Sequence, residues 1–256
     1  MKNKFEFAKT MINQAADYLK VHQQGQLDVH VKSKADDLVT NLDKEIQNLL
    51  IEAIHERYPD DHILAEEDNV RHDITDGSVW VLDPIDGTLN FVVQKDNYAI
   101  MVAYYENGHG QFGLIYDVVQ DLLLAGGGQF PVTVNDRSVE PLQEVNLERS
   151  LVACNAGLLL ANDHNIQAFI NQTLGVRIYG SAGISMMRVM RQQLLAYFSY
   201  IQPWDYAAAK ILGEALGYQT LTIDGQEPDF MSPQKIMFVP KSLVPAILAI
   251  TQKGEQ

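Results

Sequence analysis

Two aspartates followed by a Gly-Thr pair form the stretch of this sequence in which chemistry is easiest to recognise. Residues 80–91 read Trp-Val-Leu-Asp-Pro-Ile-Asp-Gly-Thr-Leu-Asn-Phe, so Asp83 and Asp86 follow an apolar run. Carboxylates are the oxygen ligands that Mg²⁺ binds, and the backbone N–H groups of a Gly-Thr turn can point at an anion. The stretch therefore suits a metal-bridged phosphate. A strand followed by an Asp-Gly turn explains these residues equally well when they are taken alone.

Other acidic residues lie at the ends of predicted elements. Glu66 opens the run Glu66-Glu67-Asp68 after a short strand, Asp43 falls in the first turn of a helix, and Asp205 lies at the start of another helix. Such acids commonly form solvated turns, interact with the helix dipole or cap helices. Because consecutive strands are often neighbours in a sheet, Glu66 can also approach Asp83. A metal-binding role for Glu66 is thus as good an interpretation as a solvated turn.

The overall charge limits what the chain can bind. Its 256 residues contain 19 Lys and Arg against 33 Asp and Glu, a formal net charge of −14, which argues against nucleic acid and anionic membranes as partners. A phosphate-binding protein this acidic needs cations at its site, and divalent metals supply them. The 7 histidines show no paired spacing, so a zinc site has little support.

The single cysteine and the N-terminus bear on the cellular compartment. Cys154 has no partner for an intrachain disulfide, and its place after an apolar run favours a buried structural thiol. The first residues lack the apolar core of a signal peptide, and no run is long enough to span a bilayer. We therefore expect a cytoplasmic protein without a membrane partner.

Hydrophobic periodicity in the first half predicts helices and then a mainly antiparallel sheet. Successive hairpins account for the antiparallel order. The strand before Asp83 should end there, because Pro84 has no N–H to donate. We expect helices over 5–22 and 40–57, and strands over 62–65, 79–82, 98–105, 112–116, 122–125 and 132–134.

Polar composition over 141–149 marks a boundary between an N-terminal part, 1–148, and a C-terminal part, 149–256. The second part alternates strands and helices, as α/β structure does, so the whole chain is predicted to be α+β. We expect strands over 151–154, 176–179, 195–200, 219–223 and 236–239, and helices over 163–173, 182–192, 202–216 and 243–251.

Taken together, these residues resemble the inositol monophosphatase family of Mg²⁺-dependent phosphatases, which is related to the fructose-1,6-bisphosphatases. The resemblance implies a layered α/β/α/β/α sandwich, with a mainly antiparallel sheet in the N-terminal half and a smaller mixed sheet in the C-terminal half. It also implies a homodimer, inhibition by lithium and hydrolysis of a phosphate monoester by metal-activated water. The resemblance covers nearly the whole chain, through Lys32, Asp37-Leu38-Val39-Thr40 with Asp43, Glu66-Glu67, residues 80–91, Gly180-Ser181-Ala182 and Trp204-Asp205.

The resemblance also implies a role for each matching residue. Two or three Mg²⁺ ions are implied, with Mn²⁺ as an alternative, and the third and weakest ion would reach Glu66 through water. The ligands of the first ion are Glu66, Asp83 and the carbonyl of Ile85, and those of the second are Asp83, Asp86 and Asp205. Carboxylate, carbonyl and water ligands select Mg²⁺ or Mn²⁺ over zinc.

The remaining implied roles concern water and substrate. Asp43 and Thr88 resemble the pair that orients and deprotonates the attacking water, with Glu66 as a further catalytic residue. The N–H groups of Gly87 and Thr88 would hold phosphate oxygens, and Lys32 lies on a loop that closes over the metals in the family. The other implied substrate contacts are Asp86, Ala182, Ser199 and Asp205.

The chain departs from the inositol-specific pattern just before Trp204. Animal members place there a glutamate that contacts the sugar hydroxyls, whereas this chain is one residue shorter and offers Ser199 or Gln202 instead. The predicted substrate is inositol monophosphate or a related sugar phosphate. The 2′-phosphate of NADP and fructose-1,6-bisphosphate stay open as alternatives.

Two further interpretations compete with this one. Phosphatases of the haloacid dehalogenase type also contain Asp-Gly-Thr-Leu, but their two aspartates are two residues apart near the chain start, whereas Asp83 and Asp86 are three apart. A regulatory protein with residual activity is the second alternative, and retention of every implied metal ligand argues against an inactive enzyme.

Overall fold

A computed structural model describes residues 1–25, 27–32 and 38–252 of the chain. Asp37, part of the predicted motif before Asp43, lies outside the described residues. The helices in the described part are α1 (Lys2–His22), α2 (Asn41–Arg57), α3 (Thr88–Val93), α4 (Ala156–Leu160), α5 (Ile166–Ile170), α6 (Ala182–Met190), α7 (Pro203–Leu216) and α8 (Val244–Thr251). None of these helices combines the length and apolar character that crossing a membrane requires.

The strands of the described residues form two large sheets and a small two-stranded antiparallel sheet of β1 and β2. They are β1 (Val29–Val31), β2 (Leu38–Thr40), β3 (His62–Ala65), β4 (Ser78–Asp86), β5 (Ala99–Glu106), β6 (His109–Asp117), β7 (Leu122–Gly127), β8 (Phe130–Val134), β9 (Arg137–Ser138), β10 (Leu151–Cys154), β11 (Gly175–Arg177), β12 (Tyr197–Ile201), β13 (Tyr218–Thr222) and β14 (Gln234–Pro240). The seven-stranded sheet has the order β3-β4-β5-β6-β7-β8-β9, and only its β3–β4 pair is parallel. The five-stranded sheet, β11-β10-β12-β14-β13, is mixed.

The sheets and helices stack in five layers. Helices α1 and α2 pack on the outer face of the seven-stranded sheet, α6 and α7 lie between the two sheets, and α4, α5 and α8 cover the outer face of the five-stranded sheet. Helix α7 is apolar around most of its circumference, as a helix with a sheet on either side must be. The predicted α/β/α/β/α fold is confirmed. The division of the chain at residue 148 stays a prediction.

Strand β4 differs from the prediction at the most informative motif. The expectation that the strand ends at Asp83 is wrong, because pairing with β5 continues to Asp86 across a bulge. Asp83 faces Met101 and Asp86 faces Ala99, and the register shifts between them. A bulge tolerates Pro84, which cannot donate to the ladder, and it re-aims the flanking side chains. Both aspartates are therefore held by sheet hydrogen bonding rather than by a loop.

The C-terminal half contains less helix than predicted over 163–173. Only Ile166–Ile170 is α-helical there, after a 3₁₀ turn at Asp163–Asn165. His164 and Asn165 have positive φ angles of 50° and 55°, which a continuous right-handed helix cannot accommodate. The short helices α3 and α4 were not predicted, because five or six residues do not produce a recognisable period.

Candidate active site

A cavity of about 380 Å³ opens where the seven-stranded sheet, the five-stranded sheet and the middle helices meet. Strand β4 contains Asp83 and Asp86, the parallel strand β3 ends at Ala65 directly before Glu66, and α7 begins two residues before Asp205. All predicted metal-binding and substrate-binding residues line this cavity, namely Glu66, Asp83, Ile85, Asp86, Gly87, Thr88, Ala182, Ser199 and Asp205.

Asp83 is the most unusual of these residues. Its side chain is 1 % exposed, yet neither of its carboxylate oxygens accepts a hydrogen bond from any described residue. Oxygens of Asp83, Asp86 and Asp205 lie within 4.8 Å of one another. Burial raises the pKa of Asp83 well above its usual value, and the negative charges of neighbouring carboxylates raise it further. A buried, unpartnered carboxylate beside two others is the arrangement that a divalent cation would stabilise.

Asp86 is held from behind by the start of α6. The N–H groups of Ala182 and Gly183 donate to its two oxygens at 3.0 and 2.7 Å, and the hydroxyl of Ser181 also donates to it. The helix N-terminus favours this negative charge, whereas burial has the larger effect and raises the pKa of Asp86. Gly183 permits the contact, because a Cβ there would lie 3.0 Å from the Asp86 carboxylate and 2.8 Å from the sulfur of Met101.

Glu66 connects the cavity to the β1–β2 segment. Its N–H donates to the carbonyl of Leu82, which brings it beside Asp83 as the sequence predicted. Lys32 pairs with Glu66 at 2.7 Å and also with Glu67. The Glu66 side chain is 20 % exposed. Burial raises its pKa to about 7 against the opposing charge of Lys32.

Asp43 lies behind the cavity wall and contacts Thr88. The Thr88 hydroxyl is 2.9 Å from Asp43 Oδ1 and 3.0 Å from the carbonyl oxygen of Ile85. The other oxygen of Asp43 accepts the N–H and the hydroxyl of Thr40, the N-cap of α2. Asp43 is fully buried, and burial raises its pKa. The capping role and the predicted contact with Thr88 therefore coexist in one side chain.

The wall nearest α7 contains Asp205 and Ser199. The N–H of Gln202 donates to Asp205 at 2.8 Å, so the acid also caps α7. Burial and the charges of Asp86 and Glu66 raise the pKa of Asp205. Ser199 lines the cavity, whereas Gln202 is not among its lining residues.

Sequence reasoning missed two contributors to this geometry. Ser181 was recognised only as part of a motif, although its place as N-cap of α6 could have indicated the contact with Asp86. Glu67 is 4 % exposed and binds Lys32 and, through its backbone, Gln47. No pattern distinguishes Glu67 from an exposed acid in the run 66–68, because its burial depends on α2 packing beside it.

Comparisons with known proteins agree with this fold. The family model described as "Inositol monophosphatase family" matches residues 2–256. An inositol-1-monophosphatase of Bacillus subtilis is 37 % identical over 243 residues, which cover 91 % of this chain and 90 % of that protein. A structure of IMPase/NADP phosphatase complexed with Mg²⁺ and phosphate has a TM-score of 0.88 at 26 % identity, covering 97 % of this chain and 95 % of that one. SaIMPase-II bound to inositol monophosphate has a TM-score of 0.87 at 28 % identity, covering 98 % and 94 %.

The five-layer fold with an acidic cavity at the junction of its sheets defines a hydrolase of phosphate monoesters. The chain belongs to the inositol monophosphatase family. The predicted family and enzyme class are thereby confirmed.

Replacing Asp83 should separate stability from metal binding. We expect Asp83→Asn to raise the melting temperature of the metal-free protein at pH 8, because a buried unpartnered charge costs about 1–3 kcal/mol or more. At about 2–4 °C per kcal/mol for a chain of this size, the rise is several degrees. The increase in melting temperature that Mg²⁺ produces in the wild type should be lost in this variant.

Asp117→Asn is the control, since Asp117 is a buried acid that accepts a hydrogen bond from the N–H of Gln120 outside the cavity. A metal-free Asp83→Asn protein that melts below the wild type would contradict this account.

The raised pKa values also predict how metal-free stability depends on pH. Glu66 titrates near 4.5 when unfolded and near 7 when folded, so the folded chain retains a proton that the unfolded chain has lost. The free energy of unfolding should therefore fall as pH rises from about 4.5 to 7, and Asp83 and Asp205 act in the same direction. The measurement is melting temperature against pH in Mg²⁺ and in EDTA. We expect the difference between the two curves to widen with pH, and a constant difference would refute the expectation.

Proposed function

We propose that this protein is a Mg²⁺-dependent phosphomonoesterase that hydrolyses a small phosphorylated metabolite by attack of water. The observation that carries the proposal is the bare, buried carboxylate of Asp83, which lies beside Asp86 and Asp205 on the strand that pairs with β3, the strand leading into Glu66. The donor set consists only of carboxylate and carbonyl oxygens, which fits Mg²⁺ and does not fit zinc.

The residues divide between two cation sites that share Asp83. Glu66, Asp83 and the carbonyl of Ile85 would hold the first ion, and the Ile85 oxygen keeps a lone pair free beside its bond to Thr88. Asp83, Asp86 and Asp205 would hold the second. The three donors from 181–183 orient Asp86 for this role, as groups behind metal ligands commonly do. A third, weaker ion near Glu66 is part of the same proposal.

Thr88 and Asp43 are suited to remove a proton from the attacking water. The Thr88 hydroxyl can give its hydrogen to Asp43 while its oxygen accepts one from water. Burial raises the pKa of Asp43, which makes this carboxylate a better proton acceptor. When bound, Mg²⁺ lowers the pKa of water and stabilises charge on the leaving oxygen. Glu66 would assist this step as a catalytic residue.

The phosphate would lie at the turn that follows β4. Gly87 has a φ of +89°, a conformation that few residues other than glycine adopt, and this turn leads directly into α3. The N–H groups of Gly87 and Thr88 would donate to the phosphate oxygens. Asp86, Asp205, Ala182 and Ser199 would border the rest of the substrate. Lys32 would close over the site from the segment that already contacts Glu66.

The charge of the cavity wall favours a substrate with one phosphate. Among the described lining residues the charged ones are Glu66, Asp83, Asp86 and Asp205, and there is neither Lys nor Arg. A second phosphate, bound away from the metal ions, would find no basic side chain among these lining residues to pair with. Inositol monophosphate or a related sugar monophosphate therefore fits better than fructose-1,6-bisphosphate. NADP is the second candidate, because the similar IMPase/NADP phosphatase acts on it, and a regulatory protein with residual activity is the third.

The proposal includes four further properties that rest on similarity to the family. The protein would form a homodimer, be inhibited by lithium, reside in the cytoplasm and be active with Mn²⁺. The acidic cluster supports the use of either Mg²⁺ or Mn²⁺, since both prefer oxygen ligands.

Thr88→Ala should reduce kcat by about 10²–10⁴-fold, the usual effect of losing a general base or its relay, with little change in KM. Steady-state phosphate release measures both constants. Thr133→Ala, on β8 outside the cavity, is the control and should retain activity. If KM rose by a similar factor while kcat stayed unchanged, Thr88 would contribute to substrate binding and not to the chemical step.

The substrate is tested by phosphate release from inositol-1-phosphate, fructose-1,6-bisphosphate and NADP in Mg²⁺, with and without lithium. We expect inositol-1-phosphate or a related sugar monophosphate to be hydrolysed fastest, and lithium to lower the rate. The Asp83→Asn variant measures any phosphate release that does not come from this site. A preference for fructose-1,6-bisphosphate would refute the charge argument. Negligible turnover of every substrate, with the thermal response to Mg²⁺ intact, would favour the regulatory alternative.

A further inference from the structure

Arg71 lies outside the cavity, just after the 3₁₀ turn Glu67–Asn69, and touches two separate parts of the fold. One guanidinium nitrogen donates to the carbonyl oxygen of Ala65 and, at 3.0 Å, to that of Val70. The guanidinium carbon lies 4.6 Å from the centre of the Trp204 ring. Arg71 thus joins the end of β3 to the start of α7.

Arg71 contacts Ala65 and Trp204, and each of these residues comes immediately before a proposed metal ligand in the sequence. Ala65 precedes Glu66, which belongs to the first cation site, and Trp204 precedes Asp205, which belongs to the second. Glu66 comes from the edge of the seven-stranded sheet and Asp205 from the middle layer, so no hydrogen-bond ladder links them. Side-chain contacts between the two elements, such as that of Arg71, are therefore available to fix the separation of the two carboxylates.

The contact has the properties of a spacer. Ala65 and Trp204 are 0 % and 7 % exposed, so both ends of the bridge are fixed in the packed interior. A guanidinium is planar and can donate in its plane while its face stacks on an aromatic ring, which a lysine ammonium cannot do. The guanidinium of Arg71 has this arrangement, because it lies between the carbonyl oxygen of Ala65 and the indole ring of Trp204.

We propose that Arg71 is a positioning residue for the metal site, which sets the distance between Glu66 and Asp205 and thereby the affinity for Mg²⁺. The inference rests on the proposed function for the identity of the two ligands. It adds a residue that touches neither metal nor substrate and that belongs to none of the motifs of the sequence analysis.

The test measures Mg²⁺ binding directly in Arg71→Met, Arg71→Lys and the wild type. Mg²⁺ is titrated while tryptophan emission is recorded, since the only tryptophans are Trp80 and Trp204 and the latter adjoins Asp205. Melting temperature against Mg²⁺ concentration gives a second, independent midpoint. Arg57→Met, at the exposed end of α2, is the matched control. Asp83→Asn identifies the signal that belongs to the site.

We expect Arg71→Met to raise the Mg²⁺ midpoint about tenfold, the lower end of the effect of removing groups that orient metal ligands. Arg71→Lys should lie between Arg71→Met and the wild type, and Arg57→Met should match the wild type. At saturating Mg²⁺ the KM for substrate should be unchanged, which a general loss of structure would not allow.

A midpoint for Arg71→Met within twofold of the wild type would overturn the inference and leave the proposed function intact. If Arg71→Met does not fold, the Mg²⁺ midpoint of Arg71→Lys is the test. A midpoint equal to that of the wild type would overturn the role of the planar guanidinium contact. Absence of any Mg²⁺ response in the wild type would instead refute the metal site, and the inference with it.

Discussion

Repulsion among buried carboxylates at the junction of the two sheets is the constraint on which the rest of this structure depends. Asp83 has no hydrogen-bond donor within the described part of the chain, and Asp86 and Asp205 lie within 4.8 Å of it. Replacing these acids by neutral residues, or moving them apart, would make the core more stable. The protein instead retains them, which is the exchange of stability for function that active sites commonly show.

Packing on every side keeps these acids from moving apart. Asp86 is held by the first residues of α6, Asp205 by the cap of α7, and Asp43 by Thr40 at the start of α2. Each acid thus meets a helix N-terminus, where the backbone N–H groups favour negative charge. Among the described residues, Asp83 receives no such hydrogen bond and, unlike Glu66, has no lysine beside it, so a cation bound there would relieve the largest electrostatic cost. The bulge in β4 allows two acids on one strand to serve this centre.

Much of the arrangement could be predicted from sequence, and the exceptions have identifiable causes. The amphipathic pattern of α1 and the hairpins β5 to β8 depend on local periodicity and turn residues, which a single sequence displays. The approach of Glu66 to Asp83 follows from the pairing of consecutive strands. The continuation of β4 through Pro84 depends on register with β5, which no local pattern encodes. The hold of Ser181 on Asp86 spans 95 residues and required the folded chain.

The late position of Asp205 has a consequence for synthesis of the chain. Asp83 and Asp86 emerge from the ribosome long before Asp205, and α7, which packs on β5 and β6, follows three strands of the second sheet in the sequence. An incomplete chain therefore carries an acidic pair without the residue that completes the cluster. A cation that needs all three carboxylates can therefore be bound only after α7 has been synthesised and packed against the first sheet.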